Sequence, residues 1–126
     1  MIILDSSAII ALFRNGDTHY SKAKAMLKLG ETYMVPDVVI AESLTVLKMR
    51  EGLDCMKKCH RFLQDNNDIT IRHTSEEEWR ITQEMFVSQK NKLSFFDTML
   101  LLIHRKENLH LATFDKDLQK ELRGKS

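Results

Sequence analysis

The sequence is poor in the residues that interrupt or cross-link a chain. Its 126 residues include one proline, four glycines and two cysteines. This composition excludes collagen-like, proline-rich and glycine-rich linker architectures. Apolar runs such as Met99–Ile103 are far shorter than the ~20 residues that a membrane span needs. The segment Met1–Asp5 carries no basic side chain, so we do not expect a signal peptide.

A charge excess of either sign is also absent. Lysine and arginine number 19 against 18 aspartates and glutamates, which gives a formal net charge of +1. Proteins that hold nucleic acid by bulk charge are strongly basic, so only a local basic groove remains open. Hydrophobic residues make up 43% and charged residues 29%, as in ordinary globular proteins. We therefore expect a single domain over residues 1–126.

The two cysteines are predicted to pack in the core. Cys55 and Cys59 lie four apart in a predicted helix, where Cβ atoms stand ~5–6 Å apart, too far for a disulfide. Both lie on an apolar stripe with Met56 and Phe62. A zinc site with His60 lacks a fourth ligand, and the cysteine usage fits a reducing cytoplasm.

Short β-like runs alternate with helical periodicity, which is typical of a parallel sheet covered by helices, an α/β fold. Strands are predicted over residues 1–4, 32–35, 69–72 and 109–113. Helices are predicted over residues 6–13, 19–29, 36–49, 53–64, 75–88, 94–106 and 115–122, followed by a short tail. Ser75 and Glu78 form a predicted capping box, and Asn108 suits a left-handed helix end.

Four acidic residues are out of place in this pattern. Asp5 and Asp115 follow predicted strands, at whose carboxyl ends open α/β sheets bind ligands. Glu42 interrupts a predicted helix that is apolar nearly all round, and Asp97 interrupts the apolar helix FFDTMLLLI. Burying an ionised carboxylate is costly unless it is paired or bound to metal.

Each acid also has an ordinary alternative role. Asp5 and Asp115 suit the N-caps of the helices that follow them. Asp97 fits a capping box with Ser94, where an acid also suits the helix dipole. Glu42 can be a surface residue if its helix is less buried than the pattern indicates.

Together the four acids indicate a metal site. Right-handed βαβ connections can bring them to one cleft, where carboxylates repel each other unless a cation neutralises them. Ligation by oxygen alone favours Mg²⁺ or Mn²⁺ over zinc. Such ions activate water and stabilise charge on a phosphodiester, so hydrolysis of phosphodiester bonds is the expected chemistry. Asp117 offers a spare acid nearby.

The segments around these acids resemble PIN-domain proteins, and more narrowly the VapC-type toxins of prokaryotic toxin–antitoxin pairs. The segments are LDSSAIIALF, VPDVVIAESLTVL, LSFFDTMLLLI and LATFDKDL, which span nearly the whole chain in the family's order. The resemblance implies a three-layer α/β/α PIN-like domain with a short central parallel sheet. It also implies that Asp5, Glu42, Asp97 and Asp115 are the metal-binding and catalytic acids.

The same resemblance implies an Mg²⁺- or Mn²⁺-dependent endoribonuclease of the prokaryotic cytoplasm, which forms a homodimer and binds a small cognate antitoxin. Ser6 or Ser7, and Thr113, match positions where the family often has Ser or Thr. These hydroxyls, with Asp117 as a further candidate, are expected to orient the carboxylates.

Two surface features remain open at this stage. A surplus of apolar residues on peripheral helices supports a homodimer, although core packing explains it equally: Phe13, Met26, Leu27, Leu29 and Met56. Basic residues that are candidates for RNA contact are also consistent with ordinary solvated charge: Arg14, Lys48, Arg50, Lys90 and Lys92.

Two competing interpretations are a PIN-fold module without turnover and another acidic α/β enzyme, either a phosphatase or a receiver. A PIN-fold binding or regulatory module without turnover would bind RNA or a partner in the absence of divalent metal. A phosphatase of the haloacid dehalogenase type requires Asp-x-Asp after the first strand, where this sequence has Asp5-Ser6-Ser7. A response-regulator receiver requires a phospho-accepting Asp at the end of a middle strand, and Ile69–Arg72 ends without one.

Overall fold

The predicted alternation of strands and helices is confirmed by the computed structural model, which describes residues 1–27 and 30–124. The strands are β1 (Ile2–Leu4), β2 (Tyr33–Pro36), β3 (Ile69–Arg72) and β4 (His110–Ala112). The helices are α1 (Ser6–Phe13), α2 (Tyr20–Leu27), α3 (Asp37–Glu51), α4 (Leu53–Asp65), α5 (Glu76–Ser88), α6 (Phe95–Glu107) and α7 (Lys116–Arg123). The predicted helix end at Leu29, and Lys125 and Ser126 of the tail, lie outside the described residues.

The four strands form one parallel sheet in the order β3-β2-β1-β4. In β1, Ile3 pairs with Met34 of β2 on one side and with Leu111 of β4 on the other. β1 is therefore an interior strand, and Ile3 and Leu4 are almost fully buried. A strand covered on both faces reads as a continuous apolar run, which explains the sequence MIIL.

Helices cover both faces of the sheet because the chain reverses its direction across it. The chain moves across the sheet in one direction from β1 to β2 and from β2 to β3. The connection from β3 then runs back past β2 and β1 to β4. Parallel crossovers are nearly always right-handed, so the reversal places the later helices on the opposite face. The packing agrees, since α1 contacts α2, α3 and α4, while α6 contacts α5 and α7. The result is the expected three-layer α/β/α architecture.

The reversal also opens a crevice between the carboxyl ends of β1 and β4, the usual ligand position in open α/β sheets. Asp5 directly follows β1, and its backbone N–H donates to the carbonyl of Ala112 over 3.0 Å. Thr113 and Asp115 follow β4 at the same edge. The topology alone thus brings two of the acids singled out in the sequence to one place.

The boundary between β2 and α3 differs from the sequence prediction. Pro36 does not open the helix, because it pairs with Arg72 as the last residue of β2 and caps α3 with extended backbone angles. Proline has φ fixed near −65°, which suits a strand end as well as the first turn of a helix. Gly52 separates α3 from α4 with φ of 98°, a conformation that favours glycine.

The predicted packing role of the cysteines is confirmed. Cys59 is fully buried in the core, and Cys55 packs against it from a half-buried position. Burial raises the pKa of the Cys59 thiol to about 12, so this side chain is a neutral packing group at physiological pH.

The surplus of apolar residues on peripheral helices belongs to the core. Phe13, Met26, Leu27 and Met56 are partly buried against it, and Leu29 lies outside the described residues. These side chains therefore do not support a homodimer, and core packing is the correct explanation.

No helix in the described part of the chain is long and apolar enough to cross a membrane.

A buried ionic network fixes the connection from β3 to β4. Glu78 on α5 is 2% exposed and accepts hydrogen bonds from Arg72 over 2.7 and 3.1 Å and from Lys106 over 3.0 Å. It also completes the predicted capping box with Ser75. The hydrogen bonds from Arg72 hold the pKa of Glu78 well below its usual range. The network thereby ties β3 and α5 to α6, the helix that carries Asp97.

Replacing Glu78 with Gln should lower the free energy of unfolding by about 3 kcal/mol, because it leaves Arg72 and Lys106 without their buried counter-charge. Urea denaturation at pH 7 measures this. The contribution of Glu78 is full above the ordinary glutamate pKa of ~4.3. It declines as the pH falls towards the lower pKa of the folded state.

The matched control is Glu84→Gln, which removes an ion pair with Arg80 whose side chains are 67% and 60% exposed. Exposed pairs of this kind contribute less than about 0.5 kcal/mol. Equal losses in the two variants would show that the Glu78 network does not stabilise the β3–β4 connection.

Candidate active site

Asp5 is the most buried of the four acids, with 2% exposure. Its Oδ1 accepts from the backbone N–H of Ser6 over 2.7 Å. Its Oδ2 accepts from Ser7 Oγ over 2.9 Å and from Thr113 Oγ1 over 2.6 Å. A buried carboxylate requires such donors, and these three fix its orientation. Asp5 is also the N-cap of α1, so its alternative role is present alongside its place in the site.

A hydroxyl network joins the ends of β1 and β4. Ser7 Oγ accepts from the backbone N–H of Phe114 over 2.9 Å and lies 3.3 Å from Thr113 Oγ1. Thr113 Oγ1 in turn accepts from the backbone N–H of Asp115 over 3.0 Å. Gln119 on α7 donates to the carbonyl of Thr113 over 2.8 Å. The loop that carries Asp115 is therefore held directly to the residues that orient Asp5.

Glu42 reaches the same region from α3 through Ser6. Ser6 Oγ donates to Glu42 Oε1 over 2.8 Å and lies 3.4 Å from Asp5 Oδ1. Burial raises the pKa of Glu42, the hydrogen bond from Ser6 opposes this, and the charges of Asp5 and Asp115 raise the pKa further. Coulomb repulsion of this kind requires carboxylates that are near one another. Glu42, Asp5 and Asp115 thus form one acidic group.

Asp97 joins this group from the first turn of α6. Burial raises its pKa to about 6, and the negative charges of Asp5 and Asp115 add to the effect. The predicted capping box is also present: Ser94 Oγ accepts from the backbone N–H of Asp97 over 3.1 Å, and Asp97 Oδ2 accepts from the N–H of Ser94 over 3.4 Å. Capping a helix and belonging to the acidic group are therefore compatible.

Asp115 is half-buried and serves as the N-cap of α7, where its Oδ1 accepts from the backbone N–H of Leu118 over 2.9 Å. Its charge contributes to the raised pKa values of both Glu42 and Asp97. Asp117 is exposed in the first turn of α7 and is not among the charges that raise those pKa values. The structure thus brings four acids together and leaves Asp117 outside.

Glu42 and Asp97 lie at the rim of the core rather than inside it. Both are half-buried, Ala41 and Thr45 beside Glu42 are exposed, and Phe96 beside Asp97 is 39% exposed. The expectation that Glu42 interrupts a helix buried nearly all round is therefore wrong for this part of α3, whereas most of α6 beyond Asp97 is buried as expected. The acids are accessible from solvent, as a site for a charged substrate requires.

The donor set fits a hard divalent cation. It consists of carboxylate oxygens only, which suits Mg²⁺ or Mn²⁺. Within the described residues, hydrogen bonds occupy Glu42 Oε1, Asp97 Oδ2 and Asp115 Oδ1 and leave the second oxygen of each carboxylate uncommitted. None of the ion pairs between described residues includes one of these acids. A cation would therefore neutralise a group whose charge is otherwise uncompensated.

The acids do not form a closed cage for an ion in this conformation. Among residues 1–27 and 30–124, no group of three or more His, Cys, Asp or Glu side chains is placed to hold one metal ion. Asp97 and Asp115 each direct one oxygen to the amides of a helix N-terminus, and mutual repulsion favours such separation. Binding one ion by three or more of these carboxylates requires them to approach one another.

Sequence reasoning did not single out three residues that shape this site. Phe114 donates its backbone N–H to Ser7, and its ring stacks on His19. Gln119 holds the carbonyl of Thr113. The position of Phe114 between Thr113 and Asp115 is a usable sequence signal, whereas no local pattern identifies His19 or Gln119.

Comparisons with known proteins identify the fold that carries this site. A family model described as the PIN domain matches residues 2–124. No curated protein matches the sequence significantly. Several solved structures are similar in fold, among them the following three.

One is VapC20 of Mycobacterium tuberculosis, described as a toxin that cleaves the sarcin–ricin loop. It has a TM-score of 0.87 at 22% identity, covering 96% of this chain and 95% of that one. FitAcB of Neisseria gonorrhoeae has a TM-score of 0.69 at 15% identity, over 94% and 90%. PAE2754 of Pyrobaculum aerophilum has a TM-score of 0.53 at 19% identity, over 93% and 81%. At these identities the likeness is one of fold.

Replacing Asp97 with Asn should stabilise the metal-free protein at pH 7.5. The folded-state pKa of about 6 lies above the ordinary value of 3.8, so the folded protein binds a proton more tightly than the unfolded chain. The wild type therefore loses stability as the pH rises from about 4 to about 6. Asn removes the charge and keeps a capping oxygen. We expect the melting temperature in EDTA to rise by roughly 3–6 °C, equivalent to about 1 kcal/mol.

The control is Asp117→Asn, which removes an exposed acid from the first turn of α7 outside the group and should not raise the melting temperature. The advantage of Asp97→Asn should disappear below pH ~4, where the aspartate is neutral in both states. A variant no more stable than the wild type at pH 7.5 would contradict the repulsion inferred at this site.

Proposed function

The chain belongs to the PIN-domain family, and from this we propose that it is a divalent-metal-dependent endoribonuclease of the VapC-like toxin type, which hydrolyses RNA phosphodiester bonds. The raised pKa values of Glu42 and Asp97, caused in part by Asp5 and Asp115, support the proposal most directly. Neutral side chains would pack at this edge without such repulsion. A cluster of acids that perturb each other's pKa values is typical of a functional site.

RNA is proposed as the substrate by likeness to VapC20, which is described as cleaving the sarcin–ricin loop. Acidic metal sites act on the phosphodiester group that all RNA shares. Selection of a particular RNA depends on its shape and on its single-stranded bases. RNA phosphodiester bonds are therefore the proposed substrate of this chain.

The catalytic residues proposed are Asp5, Glu42, Asp97 and Asp115, which are also the residues that would hold Mg²⁺ or Mn²⁺. When bound, the ion supplies an activated water and stabilises negative charge on the phosphate. The chain itself orients the acids. Ser6 bridges Asp5 to Glu42, while Ser7 and Thr113 hold the second oxygen of Asp5.

Asp97 sets the expected pH dependence of this site. With a pKa of about 6, its carboxyl changes protonation close to neutral pH. A protonated carboxyl is a poor metal ligand, so metal affinity should fall as the medium becomes more acidic than this.

A second candidate function is a catalytically inactive PIN-fold module that binds RNA or a partner. The observation in its favour is that no three acids among the described residues are placed to hold an ion. Such a module would bind its target equally well with and without divalent metal, and substitution of Asp97 would not impair it.

We also propose the partners and setting that the VapC resemblance implies. Residues 1–126 would act as one domain in the prokaryotic cytoplasm, with a small cognate antitoxin that occupies or shields the acidic cleft. An antitoxin that packs against the half-exposed Glu42 and Asp97 would cover the uncompensated acidic group and so prevent cleavage of RNA.

A homodimer is proposed on residues other than those suggested by the sequence. Trp79 and Phe86 on α5 are 42% and 39% exposed, although both rings pack on Phe95. Val87, next to Phe86 on the same helix, adds a side chain that is 82% exposed. Exposed apolar patches commonly mark interaction surfaces, so this face is the proposed contact between two copies.

Mn²⁺ should bind saturably to the purified, antitoxin-free protein at neutral pH, and Asp97→Asn should abolish that binding. Titration calorimetry measures both without knowledge of the RNA target. Affinity should fall by up to about tenfold per pH unit once the pH drops below the Asp97 pKa of about 6.

Asp117→Asn is the matched control, because it removes one negative charge from the same sheet edge and leaves the four acids intact. It should bind Mn²⁺ like the wild type. Absence of binding to the folded wild type at millimolar Mn²⁺ would favour the inactive module. Equal loss in both variants would show that bulk charge, rather than Asp97, attracts the ion.

Cleavage of RNA in the presence of Mn²⁺ should fall at least about 100-fold in Asp5→Asn and in Asp97→Asn, because several kcal/mol of charge stabilisation depends on these ligands. Ribosomal RNA and intact ribosomes are suitable substrates, with products resolved on gels. Asp117→Asn should retain activity. Full activity in a homogeneous preparation of Asp97→Asn would overturn this assignment of the site.

A further inference from the structure

Two arginines that form no ion pair with any described residue border a cavity beside the acidic group. The cavity has a volume of about 320 Å³, and its lining includes Arg14 and Arg50. Both are exposed, and among the described residues neither forms an ion pair. This holds although Asp17 and Asp115 line the same cavity. An unpaired guanidinium carries five donors in a geometry that matches phosphate.

The position of these arginines separates them from the other basic candidates. Arg14 follows α1 and Arg50 lies in the last turn of α3, so two elements contribute cations to one cavity. Lys48, Lys90 and Lys92 are exposed but do not line it. Basic character is therefore local, as a chain with a net charge of +1 requires if it is to bind a polyanion.

An aromatic pair forms another part of the cavity wall. The rings of His19 and Phe114 are parallel within 3°, with centroids 4.4 Å apart, and both line the cavity. The backbone N–H of His19 donates to Asp17 Oδ1 over 2.8 Å, and that of Phe114 donates to Ser7 Oγ over 2.9 Å. The pair is thus anchored on both sides. Nucleic-acid bases stack on such side chains with little sequence preference.

The cavity leads directly to the acids. Ser6, Ser7 and Asp115 line it, and these residues bond to, or belong to, the acidic group. Its volume falls within the ~300–1,000 Å³ of small-molecule sites. These surfaces are complementary to a ligand that has one anionic group and one flat ring. Such a ligand would lie next to the carboxylates.

We propose that this cavity is a nucleotide subsite for single-stranded RNA. Arg14 and Arg50 contact backbone phosphates, and the His19–Phe114 pair stacks on the base of a nucleotide next to the scissile bond. That this RNA is cleaved next to the subsite rests on the proposed function. The subsite adds the residues that hold the substrate. The arginines also offset the repulsion between the acidic group and the RNA backbone.

The test is binding of a short, labelled, single-stranded RNA of mixed sequence, followed by fluorescence anisotropy in EDTA. The double variant R14A/R50A should lose at least about tenfold in affinity. The slope of log affinity against log salt should become shallower by about 1.4, or ~0.7 for each phosphate contact. His19→Ala should lose about fivefold or more with an unchanged slope, and His19→Phe should restore the affinity.

The matched control is R61A/R105A, which removes two exposed arginines from α4 and α6 outside the cavity. It carries the same change in net charge and should bind RNA nearly as the wild type does. Circular dichroism establishes that each variant is folded. An R14A/R50A variant indistinguishable from this control overturns the subsite. A wild type without affinity for RNA at low salt overturns it as well.

Failure of this subsite is distinguishable from failure of the proposed function, because the binding assay contains no metal and scores no cleavage. RNA affinity that depends on Arg14 and Arg50 in a protein that cleaves nothing with Mn²⁺ supports the subsite and contradicts the nuclease. Cleavage with KM unchanged in R14A/R50A supports the nuclease and contradicts the subsite.

Discussion

The burial of the Asp5 carboxylate is the constraint on which the rest of the site depends. A carboxylate that is 2% exposed needs donors, and it receives them from Ser6, Ser7 and Thr113. Thr113 lies beyond the neighbouring strand, so satisfying Asp5 also fixes the carboxyl ends of β1 and β4 relative to each other. The same threonine holds the amide of Asp115. Hydrogen bonding to one buried charge therefore determines where the other acids can stand.

Helix N-termini lower the cost of assembling these acids. Asp5, Asp97 and Asp115 each accept a backbone N–H at the start of α1, α6 or α7, where the helix dipole stabilises negative charge. Three helix N-termini are thus directed to one edge of the sheet. The compensation is incomplete, because the pKa of Asp97 is still raised to about 6. A bound cation would remove the repulsion that remains between the carboxylates. Because capping compensates only part of the charge, an acid can cap a helix and also have a functional role here.

Local chemistry made most of the fold predictable from the sequence. Apolar runs and helical periodicity located the strands and helices, and short-range rules identified the Ser75–Glu78 capping box and the left-handed Asn108, whose φ is 55°. The four acids were recognisable because they interrupt apolar segments. Their degree of burial was not, since periodicity shows which residues share a helix face but not how far neighbouring helices cover it. The stacking of His19 on Phe114 was equally hidden, because residues so distant in sequence meet only through the packing of the fold.

The distribution of charge, rather than its sum, determines what this surface can bind. Glu78 forms ion pairs with Arg72 and Lys106 on the β3–β4 connection, so those two cations stabilise the fold and are not available to a ligand. Arg14 and Arg50 lie beside the acidic group and form no ion pair within the part of the chain that the structure describes. At physiological ionic strength an exposed charge acts over roughly 8 Å, so a ligand in the cavity responds to these two arginines and not to the distant surface. A net charge of +1 therefore excludes binding by bulk attraction and is compatible with an anion held at one place.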